Sequence, residues 1–154
     1  MIILEDYSVS LNTMALTEKH HPDYNTIIYD RKGIYYSKKT VKKILEEACL
    51  QRFCTYDGRI KSMRKRTRYF KKTPLLICPD EDIYAFPIMS PSKHGCGWFF
   101  ANLVRTFKMK KGQLIVTFAN GLQLPVDCSL KVFKQQLERT ATCMNYYRND
   151  KMSM

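Results

Sequence analysis

The stretch from Gly58 to Thr73 limits most strongly how this chain can fold. It contains eight lysine and arginine side chains and no acidic one: Arg59, Lys61, Arg64, Lys65, Arg66, Arg68, Lys71 and Lys72. Charged side chains are almost never fully buried unless they are paired. These cations therefore cannot all enter a folded core, and they must face water or bind a partner outside the chain.

Phosphate is the most frequent external partner of such a basic stretch. The arginines favour this interpretation because a planar guanidinium binds phosphate bidentately and can enter a narrow minor groove. The alternative is a solvated, disordered basic loop without a role in recognition. The stretch lies inside the chain and not on a tail, which favours a bound partner.

The composition indicates one globular domain, residues 1–154. The chain has 45% hydrophobic residues, enough for a core, and a formal net charge of +12 from 26 basic and 14 acidic residues. A nucleic acid, an acidic protein or a membrane surface accepts such a charge. A membrane is disfavoured because no apolar run approaches the ~20 residues of a spanning helix. The N-terminus lacks a signal-peptide pattern, so we expect a cytoplasmic, nucleoid-associated protein.

The cysteines and histidines do not form a convincing chemical motif. In the expected compartment the 6 cysteines indicate free thiols. Cys49 and Cys54 lack a second pair at metal-ligand spacing, which disfavours a zinc site. His94 and Cys96 suggest a nucleophile, but alternate residues of an extended loop point apart and no third group orients them. Known catalytic motifs are absent, so we expect no metal, no cofactor and no enzyme activity.

The first half of the chain predicts a hairpin followed by a helix. Strands at 26–29 and 34–36 flank a turn at Asp30–Gly33, and Ser37 is placed to cap a helix near 38–51. The helix carries one apolar stripe: Val41, Ile44, Leu45, Ala48 and Cys49. Four lysines crowd its first turns: Lys38, Lys39, Lys42 and Lys43. These lysines either hold a phosphate at the helix N-terminus or are simply solvated.

The second half predicts mainly strands. Residues 75–78 and 83–86 flank a turn, and Pro87 to Gly97 is expected to be an irregular loop. Trp98 to Phe107 is interpreted as one strand that is apolar on both faces as far as Val104. Such a strand is usually central and covered on both sides, or it lies at a subunit interface.

A second hairpin follows, and its register can be chosen from the buried face. A three-residue loop, Ala119-Asn120-Gly121, pairs Phe118 with Leu122, Val116 with Leu124, and Leu114 with Val126. A two-residue Asn120-Gly121 turn would mix the two faces. We therefore predict the longer loop, with Gly121 at positive φ.

A last helix is predicted near 130–146, capped by Ser129 or Asp127. Its expected buried stripe comprises Leu130, Phe133, Leu137, Ala141 and Met144. Strands, a helix, many strands and a helix in this order indicate an α+β fold with a mainly antiparallel β-sheet.

Nucleic-acid binding is the main functional hypothesis, and double-stranded DNA is one form of it that charge alone does not single out. Four further cations are expected to extend the basic surface: Arg105, Lys108, Lys110 and Lys111. With six to ten phosphate contacts, the log–log slope of affinity against salt would be about −5 to −9. The alternatives are a single-stranded RNA binder that stacks bases on Tyr56 or Tyr69, and an interaction module for an acidic protein. Phe70 is instead expected to pack in the core.

From about Phe53 to Thr142 the sequence resembles the competence transcription factor (ComK) family of Gram-positive bacteria. The matching segments are Gly58-Arg59, Lys72-Thr73-Pro74-Leu75, Phe86-Pro87-Ile88-Met89-Ser90-Pro91, Cys96-Gly97-Trp98, Val116-Thr117-Phe118-Ala119-Asn120-Gly121, Phe133-Lys134-Gln135-Gln136 and Arg139-Thr140-Ala141. Phe-Pro-x-x-Ser followed by Cys-Gly-Trp is fairly specific as a pair. The hairpin and helix upstream match the family more loosely.

This resemblance implies an activator of competence genes that reads paired AT-rich boxes through the minor groove as a homodimer or higher oligomer. It also implies contact with RNA polymerase and control by an adaptor of a Clp-type protease. Family members usually continue past the last helix into a tail that the adaptor recognises. This sequence stops at Met154, so we expect a short form without that tail.

The predicted DNA-binding residues are the eight cations of the basic stretch. An arginine within 59–68 is expected to enter the minor groove, and Lys71 and Lys72 are expected to set the register on phosphates. Charge reversal at Arg64 and Arg66 should abolish DNA binding and leave the melting temperature nearly unchanged.

Overall fold

The computed structural model describes residues 1–91, 93 and 95–152, with side chains as far as residue 150. Over these residues the chain forms nine strands and three helices. The strands are β1 (Thr13–Glu18), β2 (Thr26–Asp30), β3 (Gly33–Ser37), β4 (Leu75–Cys78), β5 (Ile83–Pro87), β6 (Gly97–Phe100), β7 (Val104–Lys110), β8 (Gln113–Phe118) and β9 (Gln123–Val126). The helices are α1 (Val41–Leu50), α2 (Tyr56–Thr67) and α3 (Leu130–Met152). The predicted α+β class is confirmed.

Two antiparallel sheets organise the fold. The larger has the strand order β3-β2-β1-β6-β5-β4, and the smaller has the order β7-β8-β9. The sequence analysis missed β1, which lies at the centre of the larger sheet. Its residues Met14, Ala15 and Leu16 are all buried. Because both faces are covered, the strand lacks the alternation by which a half-buried strand is recognised.

Both predicted hairpins are confirmed. In the first, β2 pairs with β3 from Thr26 opposite Ser37 to Asp30 opposite Gly33. In the second, Phe118 N–H donates to the Leu122 carbonyl over 2.9 Å, and Gly121 has φ 88°. The pairs Leu114–Val126 and Val116–Leu124 form as predicted.

The single strand predicted from Trp98 to Phe107 is wrong in its length. A short 3-10 turn at Ala101–Leu103 ends β6, and the chain then enters β7 in the other sheet. The central position is confirmed, because every residue of β6 is buried. Trp98 packs into one core and Phe99 into a second. The chain itself therefore covers both faces, and this strand gives no argument for a dimer.

Helix α1 buries its predicted stripe but begins later than expected. Ser37 ends β3, and its hydroxyl accepts a hydrogen bond from Lys39 N–H. The cap is Thr40, whose Oγ1 accepts from Lys43 N–H over 3.1 Å. Ser37 as the cap is thus wrong, because β3 pairing retains it. None of the helices over the described residues is both long and apolar enough to cross a membrane.

Helix α3 extends to Met152, beyond the predicted end near 146. Ser129 caps it, since its Oγ accepts from Val132 N–H over 3.1 Å. The predicted stripe is partly wrong, because Leu130 and Ala141 are exposed. The helix instead buries Gln136 and Thr140. Both side chains have hydrogen-bond partners, which is the condition for burying polar groups.

Candidate nucleic-acid interface

Most of the basic stretch forms helix α2, which the sequence analysis did not predict. Thr55 caps the helix, with its Oγ1 accepting from Gly58 N–H over 3.0 Å. Asp57 lies in the first turn, and the last turn is basic. This distribution suits the helix macrodipole. The alternative of a disordered loop is therefore wrong for this segment, in which only Ile60 and Met63 are buried.

One side of α2 faces the C-terminal part of α3, and we call it the α3-facing flank. Arg59 and Arg66 lie on it, two helical turns apart. Arg66 Nε donates to Asp150 Oδ2 over 2.5 Å, and its Nη1 donates to Ser62 Oγ over 2.8 Å. Both arginines line a cavity of about 320 Å³ with Tyr147 of α3. The Arg59 side chain is half-buried, and its Nε has no hydrogen-bond partner among the described residues.

The other side of α2 carries exposed cations, and we call it the groove flank. Each residue turns an α-helix by about 100°, which groups these residues away from Arg59 and Arg66. The groove flank comprises Lys61, Arg64, Lys65 and Arg68. Arg64 Nε donates to Oγ1 of the buried Thr73 over 3.1 Å. The Nε end of this guanidinium is therefore held in place, although the residue as a whole is exposed.

A tight turn from Arg68 to Thr73 joins α2 to β4. Arg68 closes the helix in the left-handed region at φ 62°, and Lys72 has φ 53°. Helix α3 holds this turn by two hydrogen bonds. Arg139 Nη2 donates to the Lys71 carbonyl over 2.9 Å, and Gln136 Nε2 donates to the Lys72 carbonyl over 2.9 Å.

The ring of Tyr69 also connects the turn to α3. The Arg139 guanidinium lies over it, 4.2 Å from the ring centre. Tyr69 is partly buried against Met63, Leu76 and Cys143. Phe70, in contrast, is 62% exposed, so the expectation that it packs in the core is wrong. The two neighbouring rings therefore differ: Tyr69 packs against α3, whereas most of the Phe70 ring is exposed to solvent.

The turn, α2 and the loop after β5 enclose an open groove of about 620 Å³. We call it the cationic groove. Four cations line it: Arg64, Lys71, Lys72 and Lys93. None of the described residues that line it is acidic. Its remaining wall comes from the segment 88–91 and the start of α3. Cations without local counter-ions produce a positive potential that attracts phosphate.

The predicted site residues therefore divide into groups. Arg64, Lys71 and Lys72 meet in the cationic groove. Lys61, Lys65 and Arg68 are exposed on the same flank, whereas Arg59 and Arg66 lie on the α3-facing flank. Sequence reasoning missed three residues of this region: Lys93, which lines the groove, and Gln136 and Arg139, which hold its turn. Gln136 and Arg139 lie in segments that resemble the family, but neither charge nor spacing places them beside the basic stretch, because they come from an element distant in the chain.

Two of the lysines near α1, Lys39 and Lys42, have partners within the chain. Lys39 Nζ lies 3.0 Å from Glu47 and 3.4 Å from Asp6. The Thr40 hydroxyl already occupies one free N–H group of the first turn. Lys42 lies over the Tyr56 ring at 5.6 Å. These contacts describe a surface network of ion pairs and leave the phosphate interpretation as a prediction.

Of the four further cations expected to extend the basic surface, Arg105, Lys108 and Lys110 lie on β7 of the smaller sheet, and Lys111 lies in the turn that follows it. Arg105, Lys108, Lys110 and Lys111 are exposed. This sheet packs on α3, where the rings of Phe107 and Phe133 lie 5.2 Å apart. A common surface with the basic stretch stays a prediction.

The cysteines of the described residues are all free. Burial raises the pKa of the Cys96 thiol and of the Cys128 thiol to about 11 each. Burial likewise raises the pKa of Cys143 to about 12. Neutral thiols are poor nucleophiles and poor metal ligands. His94, which the sequence analysis disfavoured as a catalytic partner of Cys96, lies outside the described residues. Within those residues no group of three acidic, histidine or cysteine side chains is placed to hold a metal.

Comparison with known proteins finds one family and a curated relative of similar sequence. The family described as "ComK protein" matches residues 4–152. The chain is 29% identical over 140 residues to the competence transcription factor of Bacillus subtilis (strain 168). The match spans 90% of this chain and 73% of the relative. No solved structure matches the chain.

Proposed function

We propose that this chain is a transcriptional activator of competence genes that binds double-stranded DNA. The chain belongs to the ComK family. The similar Bacillus subtilis protein is named a competence transcription factor. The observation that carries the DNA-binding part is the cationic groove, whose described lining contains four cations and no acid. A phosphate backbone is the partner whose charge and repeat suit such a groove.

We propose further that the site prefers AT-rich DNA and reads it through the minor groove. A-tracts have a narrow minor groove whose negative potential attracts inserted arginine. Two arginines of the groove flank are placed for this role, Arg64 and Arg68, one helical turn apart and both exposed. Arg64 is the better candidate, because its hydrogen bond to Thr73 fixes the root of the side chain. A side chain that is already ordered loses less entropy on binding.

The lysines of the turn are proposed to position the protein on phosphates. Lys71 is exposed and Lys72 is half-buried, and α3 holds the carbonyl of each. Phosphate contacts set register and orientation, whereas contacts in the grooves carry sequence information. Arg59 and Arg66 lie on the other flank, so we assign them a smaller part in DNA contact.

Paired AT-rich boxes would require more than one copy of the chain, and we propose a homodimer or higher oligomer on DNA. Contact with RNA polymerase and control by a Clp-protease adaptor are proposed on the family resemblance alone. Mass photometry of the protein with a two-box duplex tests the first of these proposals. A complex with one copy on two boxes would contradict it.

Fluorescence anisotropy over a salt series tests the central proposal. The probes are a labelled duplex with two AT-rich boxes, a GC-rich duplex of equal length and a single-stranded RNA. We expect tighter binding to the AT-rich duplex at every salt concentration, with a log–log slope of about −5 to −9. Equal affinities for both duplexes would contradict sequence selectivity. Preference for the RNA would favour the single-stranded alternative.

A further inference from the structure

Phe70 is an exposed aromatic side chain at the edge of the cationic groove. It is 62% exposed and lines the groove beside Arg64, Lys71 and Lys72. A single exposed hydrophobic residue needs no explanation on a protein surface. This one differs because the backbone around it is held in place and its neighbours are cations.

Hydrogen bonds fix the backbone on both sides of Phe70. The Phe70 N–H donates to the Arg68 carbonyl over 3.0 Å, and the Tyr69 carbonyl accepts from Thr73 Oγ1 over 2.5 Å. On the other side, the carbonyls of Lys71 and Lys72 accept from α3. The backbone of the turn is therefore held in place, while the ring at its tip is mostly exposed. Such a turn presents a side chain instead of burying it.

The turn also contains backbone strain that a simple connection does not need. Arg68 and Lys72 both adopt the left-handed region, which favours glycine. Residues with side chains persist in such conformations where the surrounding structure enforces them, and these positions cluster at ligand sites. At Arg68 and Lys72 the strained positions carry cations on either side of Phe70. Along this one turn, the strained backbone therefore presents Arg68, the exposed ring of Phe70 and then Lys71 and Lys72.

We propose that Phe70 inserts between neighbouring base pairs of the bound duplex and kinks it. This inference rests on the DNA-binding function proposed above and adds a mode of deformation to it. Apolar wedges of this kind partly unstack a base step from the minor groove and bend the duplex away from the protein. Arg68, Lys71 and Lys72 would bind the phosphates that flank the opened step. Flexible pyrimidine–purine steps such as TA, which AT-rich sites supply, open at the lowest energy.

The charge around Phe70 favours a nucleic acid over a protein pocket as its partner. An apolar pocket on a protein would need an acidic rim to match the four cations of the groove. In a duplex, the apolar base faces and the phosphates on both sides supply the two chemistries together. A single strand also supplies both, so the experiment includes one.

Phe53 provides a matched control within the same chain. It is 100% exposed and also has a positive φ, 60°. The neighbouring Arg52 turns inward and donates to the carbonyls of Ala48 and Val9. Phe53 is therefore an exposed ring on a strained backbone without cations directed to a common surface. It has the exposure of Phe70 but not its electrostatic setting.

The test uses an AT-rich duplex with 2-aminopurine at a central TA step and a fluorophore pair at its ends. With the wild-type protein we expect a rise in 2-aminopurine fluorescence and a shorter end-to-end distance. Phe70→Ala should lose both signals and bind roughly tenfold more weakly, with an unchanged salt slope because its phosphate contacts remain. Phe70→Leu should keep both signals, since leucine also serves as a wedge. Phe53→Ala should behave as wild type.

Each contrary outcome has a distinct meaning. If Phe70→Ala, folded by its melting curve, bends and unstacks the duplex as wild type does, the wedge is disproved and DNA binding stands. The same holds if wild type binds without either signal. If Phe70→Ala loses affinity only for single-stranded RNA, the ring stacks on unpaired bases and the wedge is again disproved. If wild type binds no duplex at all, the proposed function fails together with the wedge.

Discussion

The two flanks of α2 use the same residue types in different ways. On the α3-facing flank, Arg66 donates to Asp150 and Ser62, and Arg59 is half-buried beside it. On the groove flank, Arg64 and Arg68 are exposed. Arg64 has one hydrogen bond at its root, to Thr73. A count of charges in sequence therefore overstates the cations available to a ligand, since the helix directs part of them to its own chain.

The difference also concerns what supports each flank. The α3-facing flank contacts the C-terminal part of α3 through the exposed ion pair of Arg66 with Asp150, which contributes little stability, and through the buried Met63. The groove flank continues into the turn that α3 holds through the buried Gln136 and through Arg139. The side of α2 that is open to a ligand thus adjoins a turn whose backbone α3 holds by hydrogen bonds. Binding sites on rigid elements keep their geometry better than sites on free loops.

The first prediction removes hydrogen bonds by which α3 holds the turn beside the groove flank. Gln136 is 1% exposed, and its Nε2 donates to the carbonyls of Lys72 and Pro87 over 2.9 Å and 2.7 Å. Gln136→Leu leaves both carbonyls without this partner. An unsatisfied buried group costs about 1–3 kcal/mol, so we expect a loss of about 2–4 kcal/mol in the free energy of unfolding. Urea denaturation measures this loss.

Thr142→Ala is the control for this prediction. The Thr142 hydroxyl donates to the Glu138 carbonyl in an exposed part of the same helix, and we expect a change within about 0.5 kcal/mol. DNA affinity should fall in Gln136→Leu and not in Thr142→Ala, because only the first loosens the turn. If Gln136→Leu is as stable as wild type, α3 does not hold the groove.

The second prediction compares the flanks directly with two double variants that remove the same charge. Arg64→Gln/Lys72→Gln removes two of the four cations that line the cationic groove. It should weaken DNA binding roughly 10- to 100-fold and reduce the magnitude of the salt slope by about 2. Arg59→Gln/Arg66→Gln should weaken binding less than about threefold, but it should lower the melting temperature by about 1–4 °C, because it removes the ion pair with Asp150. Anisotropy and thermal melting measure the two effects.

Equal losses of affinity in the two double variants would mean that charge and not position governs binding. The helix would then act as a nonspecific polycation, and the division into flanks would have no functional meaning. This pair also separates the two effects that a combined charge reversal of Arg64 and Arg66 would mix. Arg66→Glu would place a carboxylate against Asp150, so its loss of binding could not be distinguished from loss of structure.

The elements predicted correctly from the sequence are those that have a clear local pattern of apolar and turn-forming residues. The β8–β9 register was predicted because Leu114, Val116 and Phe118 alternate and Gly121 marks the turn. Helix α2 was missed because it buries only Ile60 and Met63, too few for a helical stripe. The strand predicted from Trp98 to Phe107 was too long because neither glycine nor proline marks the turn after Phe100.

The candidate site was predicted by composition but not by arrangement. All eight predicted cations lie in the basic stretch, but the sequence did not reveal that α2 distributes most of them over two flanks. The support from Gln136 could not be foreseen, because a glutamine in a helix is usually exposed. Its burial depends on two carbonyls that the fold brings from Lys72 and Pro87. Long-range partners of this kind leave no local pattern.

The prediction with the smallest expected effect compares two thiols at alkaline pH, one beneath the α3-facing flank of α2 and one in the cationic groove. Cys143 is fully buried beside Met63, beneath the α3-facing flank, and Cys128 is half-buried in the cationic groove. Burial raises the pKa of Cys143 from its usual 9.0 to about 12, although Arg139 opposes the shift. In the unfolded chain this thiol loses its proton near pH 9, whereas in the folded chain it keeps it until about pH 12. The stabilisation is therefore complete below pH 9 and declines as the pH rises above that value.

We expect Cys143→Ser to flatten the fall of the melting temperature between pH 8 and about pH 10.5, and to have no effect on the pH dependence near neutrality. Cys128→Ser should flatten it less, because burial raises the pKa of this more accessible thiol only to about 11. Melting curves over this range, with each variant normalised to its own value at pH 8, provide the measurement. Identical slopes for the two variants would mean that the thiol beneath the α3-facing flank is shielded from solvent no better than the thiol in the cationic groove. The two sides of α2 would then not differ in how tightly the chain beneath them is packed, because both thiols would lose their protons over the same pH range.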